Sequence, residues 1–261
     1  MRGNQACDIL LTMKETSWEV SANEYHQLVG REGSYYHQHV IFPRLLKVMA
    51  LTRFSSVLEL GCGQGVFSRV MPEGLTYFGL DASSSLIDYA KLLKPEGGSH
   101  YYKVQDVCQK FLLNKTNFTH GVILLALQNM ASLEGVMINM AAHLKPGGQA
   151  FIVVNHPILR VPQYSSWHVE GPIQYRKLKA YMSRLKIPID MAPGSPHKAQ
   201  QTWSFHVPLS DYSRVFKQTG FYIEQIDEWI SDKTSVGKNA ARENTSRKEF
   251  PLFMAFTLKK V

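Results

Sequence analysis

Val57–Val70, VLELGCGQGVFSRV, is the stretch that decides the fold. VLEL belongs to the short apolar run SVLEL, Ser56–Leu60, which reads as a buried strand. It runs straight into a turn with glycine at 61, 63 and 65, and a helix is expected after it. Glycine there permits positive φ and a close approach of the main chain to a ligand, which a Cβ would block. Asp81, 20 residues beyond Gly61, ends a second strand-like run, TYFGL. A carboxylate at that point can accept both hydroxyl protons of a ribose. The plainer alternative is a tight turn followed by a helix-capping aspartate. Position 66 is Val66, where a dinucleotide fingerprint needs its third glycine, and no Gly-Lys-Ser/Thr follows as in a P-loop.

Outward from this motif, β-like runs recur at Thr76–Leu80, His100–Val104, Gly121–Ala126 and Gln149–Val154. Between them lie helical patterns, Ser83–Leu93 with its row of serine caps and Ser132–Leu144, which LKPGG stops. Such alternation predicts an α/β fold with a doubly wound, mostly parallel sheet. Residues 1–52 read as a helical cap, with Pro43 in or opening its last helix. Residues 53–156 form the core. Residues 157–207 break the pattern with prolines at 157, 162, 172, 188, 193 and 196 and one apparent helix around Ile173–Leu185, as a functional insertion would. Residues 208–261 resume with a helix at Ser210–Thr219 and strands at Phe221–Asp227 and Leu252–Leu258. No helical pattern of adequate length separates those strands, so they are expected to pair antiparallel at the sheet edge, for seven strands in a single domain.

The chain has 261 residues, 44% hydrophobic and 19% charged, the profile of an ordinary soluble protein with no run long enough to span a bilayer. No secretory h-region opens it, so a cytoplasmic setting is the expectation. Cys7, Cys62 and Cys108 are far apart and form no CxxC pair, and are read as reduced, with no metal site. A net charge of +8 attracts anions but does not choose between nucleic acid, an acidic small molecule and plain solvation.

ELGCGQG, GLDAS and LKPGG, in that order, resemble the motif series of class I S-adenosylmethionine-dependent methyltransferases, over roughly residues 56–155. The resemblance implies a Rossmann-like fold that binds S-adenosylmethionine and releases S-adenosylhomocysteine. It implies that Glu59 lies near the methionyl amine, that Gly61, Gly63 and Gly65 lie beneath the cofactor, and that Asp81 and Ala82 hold its ribose end. Asp106 would accept from the adenine amino group with Val107 beside the ring, and Leu127 or Gln128 would line the cofactor after strand four. Many relatives carry an acid near the start of strand four, where this chain has His120, read here as a strand-edge residue. Further segments, among them NHPILRVP and WSFHVPLSDYSRVFKQTGF, resemble a bacterial small-molecule subfamily whose substrate is unassigned.

Ligands of open α/β sheets bind outside the carboxyl ends of the strands, so the reacting methyl should face Gln128–Met130 and Asn155–Pro157. His156 is the first candidate base, because a histidine ionises near neutrality; the alternative is a hydrogen bond to its own turn. His206 is the second. Tyr25, Tyr36 and His37 from the cap, with Tyr164, Trp167, Tyr175, Tyr181 and Trp203 from the insertion, are candidate substrate contacts, set against ordinary packing. Arg160 and Arg176 are candidates for an anionic acceptor, set against surface charge. The favoured expectation is a small-molecule acceptor under an aromatic and basic lid, with nucleic acid disfavoured because no RNA-binding motif appears. An RNA or protein acceptor, or a cofactor-binding protein without turnover, are the alternatives.

Overall fold

The computed structural model describes residues 18–96, 98–190 and 201–261. Cys7, Pro193 and Pro196 lie outside the described residues.

The described chain enters through α1 (Ala22–Val29), a π-helical turn (His37–Ile41) and α2 (Phe42–Met49), which Pro43 opens in its first turn, where its missing N–H costs nothing. The core strands are β1 (Ser56–Leu60), β2 (Thr76–Asp81), β3 (Ser99–Val104), β4 (Phe118–Leu124) and β5 (Leu144–Asn155). Between them run α3 (Ser84–Leu92) and α4 (Leu133–His143), each started by a serine, Ser83 or Ser132, whose side chain accepts from a backbone N–H of the first turn. After the insertion come α5 (Leu209–Gln218), then β10 (Phe221–Trp229), α6 (Ala240–Glu249) and β11 (Phe253–Lys260). Strands β1 to β5 pair in parallel, and β11 lies antiparallel between β5 and β10, giving the order β3-β2-β1-β4-β5-β11-β10. This is the expected seven-stranded, mostly parallel sheet with its antiparallel pairing at one edge.

Alternation along the strands divides the core. Leu58, Leu60, Ile123 and Ile152 face α4 and α5, packing on Met137, Met140 and Phe216. Val57, Val122, Phe151 and Val153 face α2, packing on Leu45, Met49 and Phe67. Each such fully buried side chain is worth about 1.5–3 kcal/mol.

Four expectations are corrected. No α-helix follows the glycine turn; a single 3₁₀ turn, Phe67–Val70, does, because Pro72 and Gly74 close it at once. The insertion holds no helix at Ile173–Leu185 among its described residues. It forms two antiparallel hairpins, β6 (Ser165–Glu170) with β7 (Ile173–Leu178) and β8 (Leu185–Asp190) with β9 (Gln201–His206). IQYRKL alternates exposed and half-buried residues, the period of a strand. A helix, α6, does separate the last two strands; its AARENTSRKE sequence buries only Ser246 and so carries no apolar stripe to read. His120 lies in the interior strand β4, between β1 and β5, with its ring stacked on Phe151 at 5.9 Å.

Candidate functional site

Main-chain hydrogen bonds tie the glycine turn to the neighbouring strand. The N–H groups of Gly61 and Cys62 donate to the Leu80 carbonyl at 2.7 and 3.0 Å, holding the turn at the carboxyl end of β2. Gly61 has φ +77°, and a Cβ there would come within 2.6 Å of Ala126 Cβ and Met130 Cε. Gly63 has φ +52°, and a Cβ there would meet nothing nearer than the Tyr25 ring at 3.7 Å, so it would fill the space between turn and ring. Gly65 packs instead on Tyr102 and Ala90 and does not line that space.

The Asp81 carboxylate accepts from the Gly63 N–H at 2.8 Å through Oδ2 and from the Ser83 N–H at 2.9 Å through Oδ1. Burial pushes this carboxyl up, and those backbone donors act against the shift. Both oxygens keep lone pairs for further donors. Beyond β3, Asp106 Oδ1 accepts from the Cys108 N–H at 2.9 Å, which fixes the turn that presents Val107. Glu59 is placed elsewhere. It is 2% exposed on the α2 side of β1, takes the Tyr77 hydroxyl proton at 2.5 Å, and does not line the cavity. Burial holds its carboxyl at about 8 despite that hydrogen bond.

The amino-terminal cap closes over this edge. Glu19 accepts from the Ser83, Ser84 and Ser85 hydroxyls at 2.6, 3.0 and 2.6 Å and from the Ser85 N–H at 3.1 Å. Burial alone would raise its carboxyl, but these donors at the α3 N-terminus hold it at about 2. His26 stacks on Tyr89 at 3.9 Å and pairs with Gln64 of the glycine turn. Tyr25, edge-on to Trp18 at 5.2 Å, lies beside Asp81.

These groups wall one cavity of about 330 Å³, within the size range of small-ligand sites. At one end are Gly61, Gly63, Asp81, Ala82, Asp106 and Val107; Trp18, Tyr25 and His37 close it. At the other end are Gln128, Asn155, Pro162, Ile189 and Ser204, and Met130 lies beside Gly61. The chain leaves β4 through Leu125 at φ +51°, a strained conformation for leucine. Gln128 Nε2 donates back to the Leu125 carbonyl at 2.8 Å, and Gln128 Oε1 is buried without a donor.

The candidate bases differ. His156 is 1% exposed; Nε2 donates to Glu228 at 2.6 Å and Nδ1 accepts from Ile158 and Leu159 at 3.3 Å, so both nitrogens are engaged and the ring does not line the cavity. His206 Nε2 donates to the Tyr181 carbonyl at 2.7 Å, and Nδ1 has no hydrogen-bond partner among the described residues. Its ring lines a narrow pocket that shares Gln128, Asn155 and Ser204 with the cavity. His37 accepts the Ser34 N–H at Nδ1, 3.1 Å, and burial drives its pKa down to about 4, so it offers the cavity a neutral ring.

Of the remaining candidates, Leu127 is buried under α4, and the aromatic residues of the insertion stay outside the cavity. Trp167 packs beneath Arg176 at 5.0 Å, Tyr164 under Lys179 at 5.0 Å, and Trp203 under Lys186 at 4.1 Å; Tyr175 is exposed. Tyr36 pairs with Ser231 at 3.4 Å. The insertion reaches the cavity through Pro162, Ile189 and Ser204, which no sequence signal marked.

Among the described residues no helix is long and apolar enough to cross a membrane, and no group of three metal-ligating side chains is placed to hold an ion. A family model described as a methyltransferase domain matches residues 34–226, most of the chain. No curated protein matches it. The fold is similar to that of an S-adenosylmethionine-dependent methyltransferase from Mesorhizobium loti, at 22% identity over 88% of this chain and 100% of that one, with a TM-score of 0.66. It is similar to another from Clostridium acetobutylicum, at 17% identity over 93% and 98%, with a TM-score of 0.60. A magnesium protoporphyrin IX methyltransferase from Synechocystis with bound S-adenosylhomocysteine matches at 13% identity over 96% and 99%, with a TM-score of 0.58.

Proposed function

The chain belongs to the methyltransferase domain family, and from that premise we propose that it transfers a methyl group from S-adenosylmethionine to a small-molecule acceptor held beneath the hairpins of residues 157–207. One observation carries this reading. A single cavity has backbone glycines and two carboxylates at one end and polar side chains of Gln128, Asn155 and Ser204 at the other.

In this reading Asp81 takes the ribose hydroxyls with its remaining lone pairs, Ala82 lies beside it, and Asp106 and Val107 hold the adenine. Gly63 supplies the space for the cofactor, which a Cβ would fill. Glu59 supports the turn from beneath as a largely neutral acid and leaves the methionyl end to main-chain groups. The acceptor's lone pair forms a bond to the methyl carbon as the carbon–sulfur bond breaks, and that electron pair stays on a neutral thioether. Most of the help comes from holding the two partners in line and excluding water. A hydroxyl or ammonium acceptor must also lose a proton, and His206 Nδ1 is the nitrogen free to take it. His156 holds the Pro157–Arg160 turn. The free thiols of Cys62 and Cys108 fit a reducing, cytoplasmic setting.

Calorimetry tests the first half: S-adenosylhomocysteine should bind and NAD and ATP should not, and a preference for NAD rejects the reading. Methyl-labelled cofactor incubated with a cell extract tests the second. Label in the small-molecule fraction supports it, and label confined to RNA or protein replaces it with the macromolecular alternative.

A further inference from the structure

Arg160 lines two adjoining cavities. The outer one, about 350 Å³, is walled by Tyr36, Arg160, Trp167, Arg247 and Phe250 among others. The narrow pocket of about 30 Å³ shares Arg160 with it and shares Gln128, Asn155, Pro162 and Ser204 with the cofactor cavity. Shared lining residues thus relate the expected methyl position, through the narrow pocket and Arg160, to an aromatic outer chamber.

The charges around this path are unequal in their engagement. Arg176 is engaged: Nε donates to the Leu159 carbonyl at 2.6 Å, another nitrogen to Ser165 Oγ at 2.7 Å, and the guanidinium lies over Trp167. Arg247 pairs with Glu243 at 3.8 Å and donates to Ser235 Oγ at 2.8 Å, and Glu243 also takes the Ser235 hydroxyl proton at 2.5 Å. Arg160 is exposed, and its guanidinium has no hydrogen bond or ion pair among the described residues. A planar fork of donors flanked by Tyr36 and Trp167 suits a carboxylate or phosphate on an aromatic body. At the inner end, Gln128 Oε1 is a buried acceptor that lacks a donor, and an unsatisfied buried oxygen is costly enough that a ligand O–H or N–H binds there favourably.

We propose that the acceptor is an elongated, anionic aromatic compound whose nucleophilic O–H or N–H sits at Gln128 and Asn155 and whose carboxylate or phosphate is held by Arg160. This rests on the small-molecule reading above. It assigns Arg160 to substrate selection and Gln128 to orientation of the reacting group, neither of which the cofactor half of the fold requires.

The test is a ligand-observed NMR screen of the protein saturated with S-adenosylhomocysteine. The probes are aryl carboxylates and aryl phosphates, each matched with its neutral amide or alcohol. The acids should bind about tenfold or more tightly than their neutral partners, the scale of a charge-assisted contact. That preference should vanish in Arg160→Gln and survive in part in Arg160→Lys, with S-adenosylhomocysteine affinity unchanged in both. Comparing the carboxylate and phosphate series identifies which anion is preferred. Equal binding of acids and neutral partners, binding of no probe at all, or a preference that persists in Arg160→Gln overturns the proposal. Loss of S-adenosylhomocysteine binding by the wild-type protein would instead overturn the cofactor reading.

Discussion

The two ends of the cavity are built by different means. The glycine end is made by main chain at the tips of β1, β2 and β3, where register fixes every position: Glu59 opposite Gly79, Leu60 opposite Leu80, Asp81 opposite Val104. At the other end the insertion supplies Pro162 and, from a hairpin that is a two-stranded sheet of its own, Ile189 of β8 and Ser204 of β9. Isolated two-stranded ribbons are marginally stable in water and depend on side-chain packing against something else. The first end is therefore rigid and tolerates few residue types. The second can change its chemistry by exchanging side chains, and substitutions there should alter selection and turnover before they alter folding.

The difference can be broken most directly at Gly61. Gly61→Ala adds a Cβ at positive φ within 2.6 Å of Ala126 and Met130, so it should lower stability by about 3 kcal/mol and abolish cofactor binding. Thermal unfolding and calorimetry check this; a variant that keeps both would show that the glycine end is no more constrained than the insertion. At the acceptor end, His206→Asn should lower turnover roughly 100-fold with cofactor affinity intact if the acceptor loses a proton. His156→Asn should shift the melting temperature and leave the turnover of folded enzyme nearly unchanged, because both nitrogens serve the fold. The reverse pattern would restore His156 as the base.

Asp81→Ala should weaken S-adenosylhomocysteine binding by about 2 kcal/mol, the worth of a charge-assisted contact to ribose; unchanged affinity in calorimetry would move the ribose elsewhere. The smallest effect is expected at Glu19, whose half-exposed carboxylate ties the cap to α3. Glu19→Gln should cost about 1 kcal/mol. The folded carboxyl lies at about 2 against an ordinary 4.5, so its contribution is complete above pH 4.5 and fades as pH falls from there towards 2. Melting curves of the variant should lack that part of the acid dependence.

The same contrast governs what could be read from the chain. Gly61, Gly63, Asp81 and Asp106 were legible because strand, turn and acid recur at fixed spacing, and the sheet order follows from alternation. The insertion reads as helical because RKLKAYMSRLK carries apolar residues at spacings compatible with a helix, while the period of two that governs β7 is visible only in IQYRKL. Pro162, Ile189 and Ser204 have no local signature; Ile189 and Ser204 reach the cavity through the β8–β9 hairpin, and Pro162 through the turn before β6. His156 follows β5 at the carboxyl edge, as a catalytic group should, but the sequence does not show that Glu228, on β10, takes its Nε2 proton.

The place of β11 has a kinetic consequence. Among the described residues β10 pairs only with β11, and β11 is the strand that joins it to β5. During synthesis β5 therefore emerges with one edge open, and it keeps that edge until Phe253–Lys260 has left the ribosome, about a hundred residues later. Such pairings of high sequence separation form slowly, and the intermediates that await them expose unpaired strand edges. The half-finished sheet is thus the form of this chain most exposed to aggregation and to chaperones, and a block at β11 should trap it there.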